Sequence, residues 1–163
     1  MFTIREGVFE TNSSSSHSIA LNPKRYSNYE AKFYMFKTDD SGNVKVLSKL
    51  GEYGWGYDIL DSPDEKLSYI LTMIVCGSDA NTLQEIYDSN EFKEVEECVI
   101  KNTEFDGIII DNIDPNHIDD GSYYIDHQSF YSNYKDFLND YDLTLEEYLF
   151  NSRYSVIIDN DNH

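Results

Sequence analysis

The sequence predicts an α+β fold in a single domain spanning residues 1–163. It has a mixed or antiparallel sheet, hairpins near 29–48 and 105–126, and about four to five packing helices. Three observations lead there. Strand-like segments come first, helical periodicities fill the middle, and strands and helices alternate late in the chain. Hydrophobic content of 40% and aromatic content of 15% are too high for wholesale disorder. A chain of 163 residues is long enough to bury one core and offers no internal repeat or boundary at which to divide it.

In order, Phe2-Thr3-Ile4-Arg5 reads as a short strand, Gly7 permits a turn, and Val8-Phe9 begins another extended piece. A Ser-rich stretch follows, after which His17–Leu21 re-enters a sheet before the break at Asn22-Pro23. Tyr29–Thr38 is aromatic-rich strand sequence, Asp39–Asn43 is turn chemistry, and Val44–Leu47 alternates as the returning strand of a hairpin. Gly51–Tyr57 is a glycine-aromatic loop holding the single Trp55. It is expected to plug the core, with a flat binding lip as the alternative. No G-x-G-x-x-G pattern occurs here to cradle a nucleotide.

Ser62-Pro63-Asp64-Glu65 is a helix start: Ser62 caps, Pro63 suits the first turn and Glu65 completes a capping box. Leu67, Ile70, Leu71 and Ile74 recur on one face until Gly77. Helices are expected near 80–88 and 90–101, with Leu83, Ile86 and Tyr87, then Val95, Cys98 and Val99, as core stripes. Phe105–Asp111 is a buried-strand run, and Gly121–Asp126 is expected to return beside it as the second hairpin. Phe130, Tyr134, Phe137 and Leu138 have helical spacing, Thr144 and Glu147 form another capping box, and Arg153–Ile158 closes as a strand.

The net charge of −19 is unevenly placed. Residues 1–50 carry seven Lys/Arg against five Asp/Glu, whereas residues 51–163 carry five against twenty-six, a balance of −21. Direct nucleic-acid binding through the anionic part is excluded, because phosphates need Lys and Arg to replace their counterions. A basic partner surface is favoured instead, including one that normally holds nucleic acid. An acidic surface serving only solubility is the plainer alternative. Two cysteines, Cys76 and Cys98, make no disulfide framework, and the longest apolar run, Tyr69–Cys76, is too short to span a bilayer. With no basic-then-apolar leader in MFTIREGVFE, the expectation is a cytoplasmic protein without a membrane partner.

The most concentrated chemistry lies at Glu10-Thr11-Asn12-Ser13-Ser14-Ser15-Ser16-His17-Ser18, behind Arg5. Backbone N–H groups of a Ser-rich turn, with Thr11 and Asn12, can cradle an anion that Arg5 neutralises. His17 can act as acid or base, Glu10 can orient it, and Ser13, Ser14, Ser15 or Ser16 can supply a nucleophile. Four consecutive serines point in different directions, so at most one or two can serve. The competing role is structural, with Thr11, Asn12 and the serines satisfying the backbone in an Asx/ST-turn network.

This opening, Arg5-x-Gly7-x-x-Glu10-Thr11-Asn12-Ser13-Ser14-Ser15-Ser16-His17-Ser18, resembles that of small phage and prophage proteins of uncharacterised function. Leu149-Phe150 and the Asn160-Asp161-Asn162 tail continue the likeness. The match covers the two ends and implies a phage-type origin without naming an activity. The segment from Phe105 to Asn112, followed by Gly121–Asp126, resembles the late hairpin of some phage ADP-ribosyltransferase-like proteins, with Asp111 as the acidic candidate. The remaining motifs of that family do not align.

Metal chemistry is not expected. His117, Asp119, Asp120, Asp126 and His127 cluster in sequence, but Ile118 breaks the calcium-loop spacing and no zinc pattern exists. No cofactor is implied. The function that emerges is a phage-type acidic interaction protein of the anti-CRISPR or anti-restriction class. It would inhibit a host nucleic-acid-handling enzyme in the host cytoplasm by binding its basic surface through Asp111, Asp119, Asp120, Asp136, Asp140 and Asp142. The alternative is an enzyme, hydrolase or ADP-ribosyltransferase-like, acting on a nucleotide or phosphorylated substrate through the Glu/Ser/His loop.

Overall fold

A computed structural model describes residues 15–21, 32–126, 131 and 133–160. The capping box at Ser62 forms as its residue types dictate. The Ser62 hydroxyl accepts from Glu65 N, and the Glu65 carboxylate accepts from the Ser62 backbone N–H at 3.2 Å. It opens helix α1, Pro63–Cys76, which stops at Gly77. The expected single stripe understates the burial of α1. Lys66, Leu67, Tyr69 to Val75 are all buried, because α1 packs against three later helices and two strands at once. A helix apolar nearly all round belongs inside a domain.

Around α1 the chain lays down eight described strands in three small sheets. Strands β1 (Ser15–Leu21), β8 (Tyr154–Asn160) and β5 (Asp58–Leu60) form an antiparallel sheet in the order β1-β8-β5. Strands β2 (Phe36–Thr38) and β3 (Val44–Ser48) make the first expected hairpin. Its turn is closed by Asp39, whose carboxylate accepts from Ser41 N and Asn43 N, while Gly42 takes the φ of +89° the reversal requires. The strand is shorter than Tyr29–Thr38. Tyr34 N donates to the Asp64 carboxylate at 2.9 Å instead of to a ladder, and residues 29–31 lie outside the described residues.

The second hairpin does not form. Strand β6 (Ile108–Ile110) pairs parallel to β3, and β7 (Tyr124–Ile125) pairs parallel to β4 (Glu52–Tyr53). The continuous run Ile108-Ile109-Ile110 suits a parallel strand, whose partner is reached by a helical crossover, better than an alternating hairpin arm. Residues 111–123, with a 3-10 turn at Ile118–Asp120, also make far too long a link for a tight turn. Asn112 extends the β3–β6 ladder by side chain, accepting from Leu50 N at 2.9 Å and donating to Leu50 O at 2.8 Å.

Four shorter or comparable helices complete an α+β domain with one contiguous core: α2 (Leu83–Tyr87), α3 (Asn90–Asn102), α4 (Tyr134–Asn139) and α5 (Leu145–Phe150). Each has a side-chain N-cap, from Thr82, Ser89, Asn133 and Thr144 respectively. The core is aromatic at its centre. Tyr69 meets Tyr53 edge-on at 5.1 Å and Phe137 at 5.6 Å, and Phe137 meets Tyr148 at 6.5 Å. Among the described residues no helix is long and apolar enough to cross a membrane.

Candidate functional site

Of the Ser/His stretch, Arg5, Glu10, Thr11, Asn12, Ser13 and Ser14 lie outside the described residues. Ser15, Ser16 and His17 lie on β1, paired with Asn160, Asp159 and Ile158. Successive side chains of a strand leave on opposite faces. Ser16 is exposed and His17 is 6% exposed, so the two do not converge as nucleophile and base.

His17 is instead a core residue. Its Nδ1 shares a 2.8 Å hydrogen bond with the hydroxyl of Tyr69, itself fully buried on α1. Burial pushes the imidazole down to about 4, against the opposing pull of the Asp126 carboxylate, and pushes the Tyr69 hydroxyl well above its ordinary value. Both groups are therefore neutral at pH 7. Lys66, one helical turn before, is also fully buried. Its ammonium donates to the carbonyls of Asn151 (3.3 Å) and Tyr154 (3.1 Å) and sits 5.8 Å from the Tyr148 ring. The Tyr148 hydroxyl in turn donates to Lys66 O at 2.8 Å. This lysine ties the α5–β8 connection to α1. Sequence reasoning passed over Lys66 and Tyr69, although Lys66, Ile70 and Ile74 share the i, i+4 spacing that signals one helical row.

The six aspartates proposed for partner binding are all exposed and fall into two groups. Asp111, Asp119 and Asp120 surround the 3-10 turn, where Asp111, Asp114 and Asp120 line one shallow depression. Asp136, Asp140 and Asp142 follow along α4 and the turn after it, where Asp140 accepts from the Tyr131 hydroxyl at 2.8 Å. Among the described residues no group of three or more His, Cys, Asp or Glu is arranged to hold a metal ion.

Trp55 does not plug the core. It is 67% exposed and stacks on Tyr124 at 5.0 Å, while its neighbour Tyr53 is the buried ring. Gly51 is required beneath that ring, since a Cβ there would stand 2.7 Å from the Tyr53 hydroxyl. The same segment is pinned to α1. Gly51 N donates to the Thr72 hydroxyl at 3.0 Å, the Ser68 hydroxyl donates to Lys49 O, and Tyr53 donates to Ser68 at 2.9 Å.

These contacts frame a cleft of about 360 Å³ between the end of β3, β4, β5 and the first turns of α1. Glu52, Asp58, Asp64 and Glu65 bring four carboxylates to it against the single ammonium of Lys49. Ser48 Oγ, on one of its lining residues, is buried with no hydrogen-bond partner among the described residues. Burial raises the Asp64 carboxyl above its usual range, with backbone hydrogen bonds from Tyr34 and Met35 drawing it back. Spacing gave no signal for this cleft, because it joins residues from 35 to 68 that only the fold brings together. No known family model, curated protein or solved structure matches the chain, so its function has to be argued from its own residues.

Proposed function

We propose that this protein is an acidic interaction protein that binds the basic surface of a nucleic-acid-handling enzyme. The observation that carries the proposal is the −21 balance of residues 51–163, with all six candidate aspartates on the surface. Carboxylates fixed on a folded surface compete with phosphates for the same Lys and Arg. The phage-like opening extends the reading to an inhibitor of a host defence enzyme of the anti-CRISPR or anti-restriction class, acting in the host cytoplasm. The enzymatic alternative draws no support from the described residues, because His17 is sealed in the core and Ser16 faces the other way.

The test is capture from bacterial lysate at low salt and at about 0.5 M salt, where the Debye length falls to a few Å. Wild type is run beside two charge-reversed forms, one at Asp111, Asp119 and Asp120 and one at Asp136, Asp140 and Asp142. The expected result is a basic nucleic-acid enzyme, identified by mass spectrometry, that salt and added DNA both release and at least one reversed form fails to hold. Capture of no basic protein, or capture indifferent to salt and to both reversals, refutes the proposal.

A further inference from the structure

We propose that two copies of this chain associate through strand β2, which pairs antiparallel with its own counterpart across a twofold axis at Phe36. This association goes beyond the binding of a basic partner and does not depend on it. The sheet β2-β3-β6 has two edges, and the chain treats them differently. At the β6 edge the outward N–H groups are answered within the chain. Ile108 N donates to the Glu96 carboxylate and Ile110 N to the Tyr87 hydroxyl, each at 3.1 Å. An edge sealed in this way offers no template for pairing.

The β2 edge is open among the described residues. Leu47 N donates to Met35 O and Asp39 N to Asn43 O, so the ladder with β3 runs through Met35, Lys37 and Asp39. In an antiparallel pair the alternate residues turn their N–H and C=O groups the other way. Phe36 and Thr38 therefore present a donor and an acceptor each to the side where no described strand lies. The side chains are uncovered as well. Phe36 shares its face with the buried Val46 and lies against Phe105 at 5.6 Å, yet it is 56% exposed, and Tyr34 is 61% exposed. The apolar layer of the domain runs out to this edge and stops there without a cover.

Charge makes a second copy the occupant. Each chain carries −19, so two copies repel one another through their acidic surfaces. Residues 32–50 are the exception, with Lys32, Lys37, Lys45 and Lys49 against Asp39 and Asp40. Asp64 and Asp106 reach this hairpin from elsewhere, and the N–H groups of Tyr34 and Val44 engage them. Like copies therefore meet here without the repulsion that residues 51–163 impose. A lysine on an edge strand ordinarily keeps like edges apart. With Phe36 on the axis, however, Lys37 lies opposite Met35 of the second copy and not opposite Lys37. Phe36 then meets Phe36, a favourable aromatic pair, and Thr38 N–H reaches Tyr34 O of the second copy. Such an interface is isologous and closes at the dimer. The paired edge is short, so the dimer is weak and concentration-dependent. It leaves Asp111–Asp120 and Asp136–Asp142 unused, and a basic partner is offered both copies of them.

The experiment is sedimentation equilibrium of the full-length chain from about 1 µM to about 500 µM. It is run at about 0.05 M and about 0.5 M salt, with F36E beside wild type. Amide hydrogen exchange by NMR on wild type at both ends of the concentration range accompanies it. The mass is expected to rise from one chain towards two with concentration. Higher salt should strengthen the association severalfold, because it screens the repulsion between two anionic chains. F36E sets two carboxylates against each other at the axis and should weaken it by about tenfold or more. Exchange at the Phe36 and Thr38 amides should slow as the dimer fills, while the Lys37 amide, already bonded to β3, stays as it was. Amide spectra away from β2 and β3 report whether F36E remains folded, and the exchange comparison needs no variant. A single-chain mass at every concentration overturns the proposal. So does association that salt dissolves, since that is a lysine edge docking on an acidic surface. A dimer whose Phe36 and Thr38 amides exchange as fast as in the monomer uses another surface and overturns it too.

Discussion

Helix α1 meets two polar settings. Towards β1, Tyr69 and His17 share a hydrogen bond in a packed interior, with the buried Asp126 carboxylate near enough to act on the imidazole. Towards β3 and β5, Ser48 keeps a buried hydroxyl with no partner among the described residues, beneath a cleft lined by four carboxylates and Lys49. A buried pair that satisfies itself adds to stability and has no spare capacity for a ligand. A buried hydroxyl without a partner gives up that gain. The contrast separates buried polar groups that pair with each other from one that does not, and it places the conspicuous histidine of the sequence among the first.

The strongest way to break the contrast is Tyr69→Ala. Removing a fully buried ring packed on Tyr53 and Phe137 should cost about 3–5 kcal/mol, read as a lower urea midpoint. A variant with wild-type stability would mean that α1 is not the centre of the core.

Acidity sharpens the contrast next. His17 has a folded pKa of about 4 against an unfolded value of 6.5. The unfolded chain therefore binds the extra proton between those values. The contribution of neutral His17 is fully present above pH 6.5 and is lost as pH falls towards 4, amounting to about 3 kcal/mol at most. Burial of the imidazole sets this depression, and the Asp126 carboxylate opposes it. His17→Gln should flatten that part of the stability–pH curve in urea unfolding at pH 7, 6 and 5. A curve as steep as wild type would remove His17 from the account.

Ser62→Ala deletes the cap of α1 and should cost about 1 kcal/mol in the same assay, more than a typical surface change. Smallest of all is Ser48→Ala. Its hydroxyl has no partner among the described residues, so its loss should change stability by about 0.5 kcal/mol or less, or raise it slightly. A loss above about 1.5 kcal/mol would show that Ser48 belongs with the self-satisfied interior after all.

What the sequence by itself determined is local. Ser62-Pro63-Asp64-Glu65 and Thr144–Glu147 carry their capping boxes in residue type and spacing, and both form. Asp39–Asn43 contains its own turn chemistry, and the −21 balance is a matter of counting. The tertiary structure alone decided what depends on distant partners. Ile108–Ile110 could pair with Gly121–Asp126 or with β3; its unbroken apolar run suits a parallel strand, but which strand it joins is decided by the helical crossover that returns the chain beside β3. His17 stands within a polar run that suggests an exposed loop, yet alternation along β1 turns it inward to a tyrosine 52 positions away. Ser48 and Asp64 carry no shared motif. They meet because α1 docks its first turns beside the end of β3, and long-range docking is set by the packing of the whole core rather than by neighbours in the chain.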